Sequence, residues 1–330
     1  METIIKNNRK IENILEKINT AKKEIHKKIV GLDRIIDFLF YALFTEGHIL
    51  IIGVPGLAKS LLAETFAHVL DLDFKRIQFT PDLIPSDIIG TEIIDIDPTT
   101  NQKIFKFQKG PIFTNILLAD EINRTPPKTQ SALLEAMQEK QINVGNFLYK
   151  LDLPFMVIAT QNPLEQEGTY PLPEAQLDRF AFSLELSYPN FEEEKEILIN
   201  TFKREKIVIE KILNKNDIFE IINFVDNVVI SEKLIEYIIK IVQETRKELS
   251  KIDEVKKYVE WGVGPRGTET ILKGAKIKAL LDGKFMVEKS DIDNILYEVL
   301  NHRIILNFQA KMDNINTKYI IEKILEKVKI

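Results

Sequence analysis

The chain has 330 residues, with 45 basic against 50 acidic side chains, a net charge of −5 and no cysteine. That length supports two domains around a large apolar core without staples. The missing thiols exclude disulfides, thiolate metal sites and thiol nucleophiles, the four scattered histidines argue against a zinc centre, and the near-balanced charge gives no global pull toward nucleic acid or anionic lipid.

Residues 8–29 carry Ile11, Ile14, Leu15, Ile18, Ile25 and Ile29 near one face and predict an amphipathic helix. A second helix is expected over 33–44, ending before Gly47. The period then changes. Short apolar runs at 49–52, 116–119, 155–159 and 181–186 suit buried parallel strands, and the alternating stretch 74–79 makes a fifth. Helical segments at 59–70 and 127–139 separate them, which argues for a three-layer α/β unit. Two hairpins interrupt it: 92–97 with 103–107 around a turn at 98–102, and 141–144 with 147–151 around Gly145-Asn146.

Beyond Tyr188-Pro189-Asn190 the pattern is helical, as at 232–249, 268–281 and 290–300, where Ser290 with Asp291 and Asp293 reads as a helix start. The expected division is an α/β domain, 1–189, and a helical lid, 190–330. No apolar run nears the roughly 20 residues of a bilayer span. The first 25 residues hold no signal-peptide core, so no membrane span and a cytoplasmic location are expected.

Gly53-Val54-Pro55-Gly56-Leu57-Ala58-Lys59-Ser60 follows a strand and opens a helix, the context a phosphate-binding loop needs. Its backbone N–H groups and the helix N-terminus would hold phosphate oxygens. Lys59 would reach the β- and γ-phosphates and Ser60 would ligate Mg²⁺. Glycine is usual where Ala58 stands. Alanine fits if its φ is negative, as on entering a helix. The competing reading is a strand–turn–helix that uses glycine and proline only to turn.

The strand 116–119 ends in Asp120-Glu121. At the C-terminal edge of a parallel sheet Asp120 would hold Mg²⁺ and Glu121 would act as general base. The alternative is a strand turning polar as it leaves the core. Asn162 ends another strand and reads either as a group that orients water or as part of a plain Asn-Pro turn. Arg179 precedes the last strand and reads either as an arginine finger for a neighbouring subunit or as the partner of Asp178 or Glu174. Arg266, in Gly264-Pro265-Arg266-Gly267, either reaches back to the nucleotide or is an ordinary solvated arginine beside a turn.

Together with Phe79-Thr80-Pro81-Asp82-Leu83-Ile84-Pro85-Ser86-Asp87, Ile122-Asn123-Arg124 and Tyr170-Pro171-Leu172-Pro173-Glu174-Ala175-Gln176-Leu177-Asp178-Arg179-Phe180, these segments resemble the MoxR family of AAA+ ATPases over about residues 29–303. The resemblance implies an AAA+ P-loop fold, a three-layer α/β/α sandwich with a parallel five-stranded core sheet and an all-α lid. It implies ATP and Mg²⁺ as cofactors, Lys59 and Ser60 as Walker A, and Asp120 with Glu121 as Walker B. Asn162 becomes sensor 1, Arg179 the finger with Arg124 as its rival, and Arg266 sensor 2. The Val30-Gly31 pair falls where relatives pack on adenine. The family usually has Ser-Pro-Arg-Ala at sensor 2, so Gly264 and Gly267 depart from it.

The family further implies a ring, expected to be a hexamer, that acts as a chaperone in assembly, maturation or metal loading of client proteins, often ones with a von Willebrand factor A domain. Two other readings are a nucleotide-switched binding module with little turnover and a nucleic-acid motor of a related clade. For the motor, Lys103, Lys106 and Lys109 are faced across a turn by Asp95 and Asp97, so a nucleic-acid partner is not expected.

Overall fold

In the computed structural model the described residues are all except 1, 97–101, 146, 165–167 and 204–206, with backbone alone for 2–10 and 203. The chain runs α1 (Glu2–His26), α2 (Asp33–Phe44), β1 (Ile49–Gly53), α3 (Lys59–Val69), β2 (Phe74–Gln78), α4 (Pro85–Ile89), β3 (Gly90–Ile96), β4 (Lys103–Lys109), β5 (Ile116–Asp120), α5 (Pro127–Glu139), β6 (Gln141–Val144), β7 (Phe147–Lys150), β8 (Met156–Gln161), α6 (Glu174–Leu177) and β9 (Phe182–Leu186). Helices then dominate: α7 (Phe191–Lys203), α8 (Lys215–Val225), α9 (Glu232–Glu244), α10 (Asp253–Tyr258), α11 (Pro265–Leu281), α12 (Lys289–Leu300), α13 (Phe308–Met312) and α14 (Thr317–Lys327). A short antiparallel pair, β10 (Val259–Trp261) and β11 (Ile305–Leu306), joins them.

Five strands form one parallel sheet in the order β2-β5-β8-β1-β9. Successive side chains of a strand point to opposite faces, and the core divides accordingly. Ile49, Ile51, Ile116, Leu118, Met156 and Ile158 join a cluster with α1, α2 and α3. Leu50, Leu117, Val157 and Ala159 join a second one with Ile88 of α4 and Leu133 and Met137 of α5. Each fully buried aliphatic side chain contributes about 1.5–3 kcal/mol, which is why these strands are apolar throughout. The lid shares the first cluster: Ile218, Ile271, Ile295 and Leu296 pack in it with Phe182 of β9. No helix among the described residues is long and apolar enough to cross a membrane.

The predicted strands and hairpins are present within a residue or two of their expected ends. The turn at 98–102 lies almost wholly outside the described residues, as does Asn146 of the second turn. The two hairpins meet through aromatic rings, with Phe107 of β4 and Tyr149 of β7 at 4.4 Å between centroids. Lys106 pairs with Asp95 at 3.2 Å, as the facing charges implied.

Four boundaries differ from the pattern, one of them the helix expected over 268–281, which starts at Pro265. The first helix covers Glu2–His26 and stops short of Ile29, because the chain turns through Gly31 and Leu32 at φ +65° and +62°. The helix predicted over 232–249 ends at Glu244, where the Thr245 hydroxyl donates to the Val242 carbonyl and accepts from the Val263 amide. The helix predicted from Ser290 starts at Lys289: Asp291 turns back to accept the Glu288 amide at 2.8 Å, and Ser290 lies within the first turn.

Candidate nucleotide site

β1 sits between β8 and β9; its onward connection runs through α3 to β2 at one margin of the sheet, whereas β8 connects past it to β9 at the other. A ligand crevice is expected outside the carboxyl ends of the strands at such a reversal. β1, β5 and β8 deliver the loop at 53–60, the Asp120-Glu121 pair and Asn162 to that edge. The first turn of α3 has no side-chain cap, and Pro55, Gly56 and Ala58 are exposed. A helix N-terminus left this way presents uncapped N–H groups and a positive dipole end, which suits phosphate. A Cβ built on Gly56, at φ +86°, would meet nothing within 4 Å.

Lys59 is buried, and its Nζ donates to the Gly53 carbonyl at 2.6 Å. Burial lowers its pKa, and the charges of Asp120 and Glu121 partly restore it. Ser60 Oγ lies 3.4 Å from Asp120 Oδ2. The ligands of an octahedral Mg²⁺ lie at about 2.0–2.1 Å from the metal, so neighbouring oxygens about 3 Å apart fit, and Ser60 and Asp120 could both face one ion. Among the described residues no group of three or more His, Cys, Asp or Glu could hold a metal. The remaining ligands would have to be phosphate oxygens and water, the ordinary arrangement for Mg²⁺.

Ala58 corrects the sequence reading. Its φ is +54°, in the left-handed region, rather than negative. The position therefore wants glycine for a conformational reason, and alanine holds it under strain of about 1–2 kcal/mol. Ala58→Gly is expected to stabilise the chain by up to about 1 kcal/mol, since relief of strain exceeds the ~0.4–1 kcal/mol that a looser unfolded chain costs. Gly56→Ala should destabilise it. Urea unfolding of both variants checks the pair of signs.

The acidic pair is held from β2 and β8. Arg76 donates through Nη2 to Asp120 Oδ2 at 2.7 Å and to Gln78 Oε1 at 2.8 Å. Gln78 Nε2 donates to Glu121 Oε2 at 2.8 Å, and Arg124 Nη1 donates to the same oxygen at 3.0 Å. Thr160 ties the two carboxylate residues together: its hydroxyl donates to Asp120 Oδ1 at 2.6 Å and accepts the Glu121 amide at 2.8 Å. Glu121 itself has φ +57°. Arg76, Gln78 and Thr160 carry no signal in the sequence pattern. Gln78 stands opposite Asp120 in the strand register, which only the strand order reveals. Asn162 is buried, and its Oδ1 accepts the Leu164 amide at 3.1 Å, so it does form the local turn that was its plainer reading.

A cavity of about 970 Å³ opens beside the loop, walled by Val30, Leu57, Leu61 and Leu186 and closed from the lid by Ile197 and Tyr297. Its apolar wall and its place between the two parts of the chain suit a purine. Gly31 is needed for a separate reason. At φ +65° a Cβ there would come within 2.6 Å of Glu193 Oε1 of α7, so the glycine lets the lid close on this turn.

Arg179 and Arg266 are not at that edge. Both line a second cavity of about 360 Å³ with His48, Lys140, Lys273 and Arg303. His48 precedes β1 and the phosphate loop follows it. The five residues between, at about 3.3 Å each, set the two sites roughly 16 Å apart. Arg266 thus does not join the cavity beside its own phosphate loop. The alternative ion pair for Arg179, with Asp178 or Glu174, is not found among the described residues; Asp178 pairs instead with Arg303 at 2.8 Å. Arg179 Nη1 donates to the Leu134 carbonyl, and its buried Nε finds no partner among the described residues. Arg124, the rival finger, pairs with Glu121 of its own chain.

The fold and this edge define a P-loop ATPase domain of the AAA+ class with a helical lid. The profile of the ATPase family associated with various cellular activities (AAA) matches residues 48–182, and that of the AAA lid domain matches 253–324. The chain is 40% identical over 321 residues to Chaperone MoxR1 of Mycobacterium tuberculosis, covering 96% of this chain and 84% of that protein. It is 42% identical to YeaC of Bacillus subtilis, an uncharacterized protein, over 97% and 96% of the two chains. A crystal structure of a candidate ATPase from Cytophaga hutchinsonii superposes with a TM-score of 0.92 at 44% identity, covering 100% and 99%. The chain belongs to the MoxR family of AAA+ ATPases.

Proposed function

We propose that the chain hydrolyses ATP with Mg²⁺ in a closed ring, hexameric as its family resemblance implies, and uses the cycle to remodel a client protein. The observation that carries this reading is the separation of Arg179 and Arg266 from the phosphate loop of their own chain. A cavity at the opposite edge of the sheet, with five cationic side chains against the carboxylates of Glu46, Asp178 and Glu269, would serve a triphosphate on a neighbouring copy.

In each site Lys59 would hold the β- and γ-phosphates, while Ser60 and Asp120 would hold the metal. Bound Mg²⁺ neutralises charge that develops on the phosphates. Glu121 would take the proton of the attacking water, with Asn162 beside it. Arg179 and Arg266 of the next subunit would face the γ-phosphate. The ion pair between Arg124 and Glu121 favours Arg179 as the finger. Purine would lie against Val30 and Gly31, in the cleft between an ATPase domain, 1–189, and a lid, 190–330. A chaperone role follows the name of the relative MoxR1. The client is a protein, with a von Willebrand factor A domain as the first class to try. The exposed Ile94, Phe105, Phe147 and Leu148 of the two hairpins are its candidate contacts.

Calorimetry with ATP, with and without Mg²⁺, tests the nucleotide site. We expect metal-dependent binding, weakened at least about tenfold by Lys59→Ala, since charge-assisted hydrogen bonds contribute about 1.5–3 kcal/mol. Phosphate release per chain should rise with protein concentration and stop with a metal chelator. Wild-type protein that takes up no ATP with Mg²⁺ would overturn the proposal.

A further inference from the structure

The segment that carries Arg179 is gripped by the lid. Arg303 follows α12 and its side chain is almost wholly buried. Its guanidinium donates to five acceptors. Nε reaches Asp178 Oδ1 at 2.8 Å, and Nη2 reaches the Phe180 carbonyl at 2.7 Å and the Asp178 carbonyl at 3.3 Å. Nη1 reaches the Ala181 carbonyl at 3.0 Å and the Val299 carbonyl of its own helix at 2.6 Å. Four of the five lie on residues 178, 180 and 181, on both sides of Arg179. The neighbouring lid residues add to the grip. His302 Nε2 lies 3.0 Å from the Phe180 carbonyl, and Asn301 Nδ2 donates to the Ser183 carbonyl at 3.4 Å. Burial keeps His302 neutral by pushing its pKa well down, so the ring bonds as an imidazole.

A fork of this kind fixes direction as well as distance, because the five N–H groups of arginine lie in one plane. The cost of burying the charge is met by Asp178 and by the carbonyls. Gly267 belongs to the same packing: a Cβ there would lie 3.2 Å from Arg303 Cδ and 2.3 Å from Val263 Cγ1. The last turn of α12 also reaches the nucleotide cavity, which Tyr297 and Glu298 line. Glu298 there holds Arg34, which lines the same cavity. The last turn of α12 therefore touches the subunit's own nucleotide cavity, and the turn that follows it, through Arg303, holds the seat of Arg179.

We propose that Arg303 is the positioning residue for Arg179, and that through α12 each lid sets whether its subunit presents a finger to the next site. This rests on the ring reading above. Displacement of a reacting group by about 1 Å costs on the order of 10²-fold in rate. Arg303→Gln should therefore lower kcat about 10²-fold, with the KM for ATP and the affinity for ADP within about threefold of wild type.

The test is a set of mixed rings of full-length protein. Arg303→Gln subunits mixed with Glu121→Gln subunits should regain turnover, because one variant keeps an intact base and the other an intact finger. Arg303→Gln mixed with Arg179→Ala should regain none. If Arg303→Gln does not fold, Asp178→Ala, which removes one contact of the fork, is scored by the same mixtures. Recovery with Arg179→Ala, or a loss of ADP affinity equal to the loss of turnover, overturns the proposal. The mixture of Glu121→Gln with Arg179→Ala is the control. If it regains nothing, the ring reading fails and this inference with it; if it recovers while Arg303→Gln complements Arg179→Ala, the inference alone fails.

Discussion

Glu121→Gln is expected to bind ATP with Mg²⁺ about as tightly as wild type and to turn it over at least about 10²-fold more slowly. A positioned general base contributes typically 10²–10⁴-fold, and glutamine has no basic oxygen with which to take the proton. The substitution should leave the site's shape intact. An amide oxygen can still accept from Gln78 Nε2 and Arg124 Nη1, which now share Glu121 Oε2, and the left-handed backbone at φ +57° is held from outside by Thr160. Single-turnover phosphate release, with nucleotide retained through gel filtration, measures both halves of the expectation. Normal steady-state rates would remove Glu121 from its role. The same variant, held with ATP, is the reagent for isolating a client.

That Glu121 can be nominated from sequence, while its partners cannot, has a physical cause. Residues 116–119 are apolar because β5 is covered on both faces, and a carboxylate pair at the end of such a run marks a strand leaving the core. Arg76 and Gln78 belong to β2, which lies at one margin of the sheet and pairs only with β5. Their meaning depends on strand order, which a one-dimensional pattern does not encode. Thr160 is hidden for a similar reason. It follows the apolar run 155–159 directly, and only the β5–β8 pairing places its hydroxyl between Asp120 and Glu121.

Backbone sign is equally out of reach. Alanine at position 58 is compatible with a helix start, yet the turn demands positive φ just before Lys59. The arginines show the limit most clearly. Arg266 opens α11 as its Pro-Arg context predicts, but which edge of the sheet the helix faces is decided by lid packing. Arg303 gives no signal at all, because four of its five acceptors are main-chain carbonyls that any sequence supplies.

Arg179→Ala is expected to lower turnover of the assembled ring by about 10³–10⁵-fold, the range measured for arginine fingers, while the affinity of each subunit for ATP stays nearly unchanged. The asymmetry follows from placement. Arg179 lies by the N-terminal end of β1 and its own phosphate loop by the other end, so losing it cannot weaken nucleotide binding in its own chain. Folding should suffer little, for the side chain is only partly buried, gives one hydrogen bond to Leu134, and keeps a buried Nε with no acceptor among the described residues. An unpaired buried donor costs about 1–3 kcal/mol, so removing it offsets part of the lost contact. That orphaned N–H is what a side chain waiting for an external anion would show. Phosphate release from Arg179→Ala, alone and mixed with Glu121→Gln, measures the effect. Mixed rings should recover activity that neither parent has, because each new interface joins an intact base to an intact arginine. If mixed assembly is demonstrated and no proportion exceeds either parent, the two residues do not share a site across a subunit boundary.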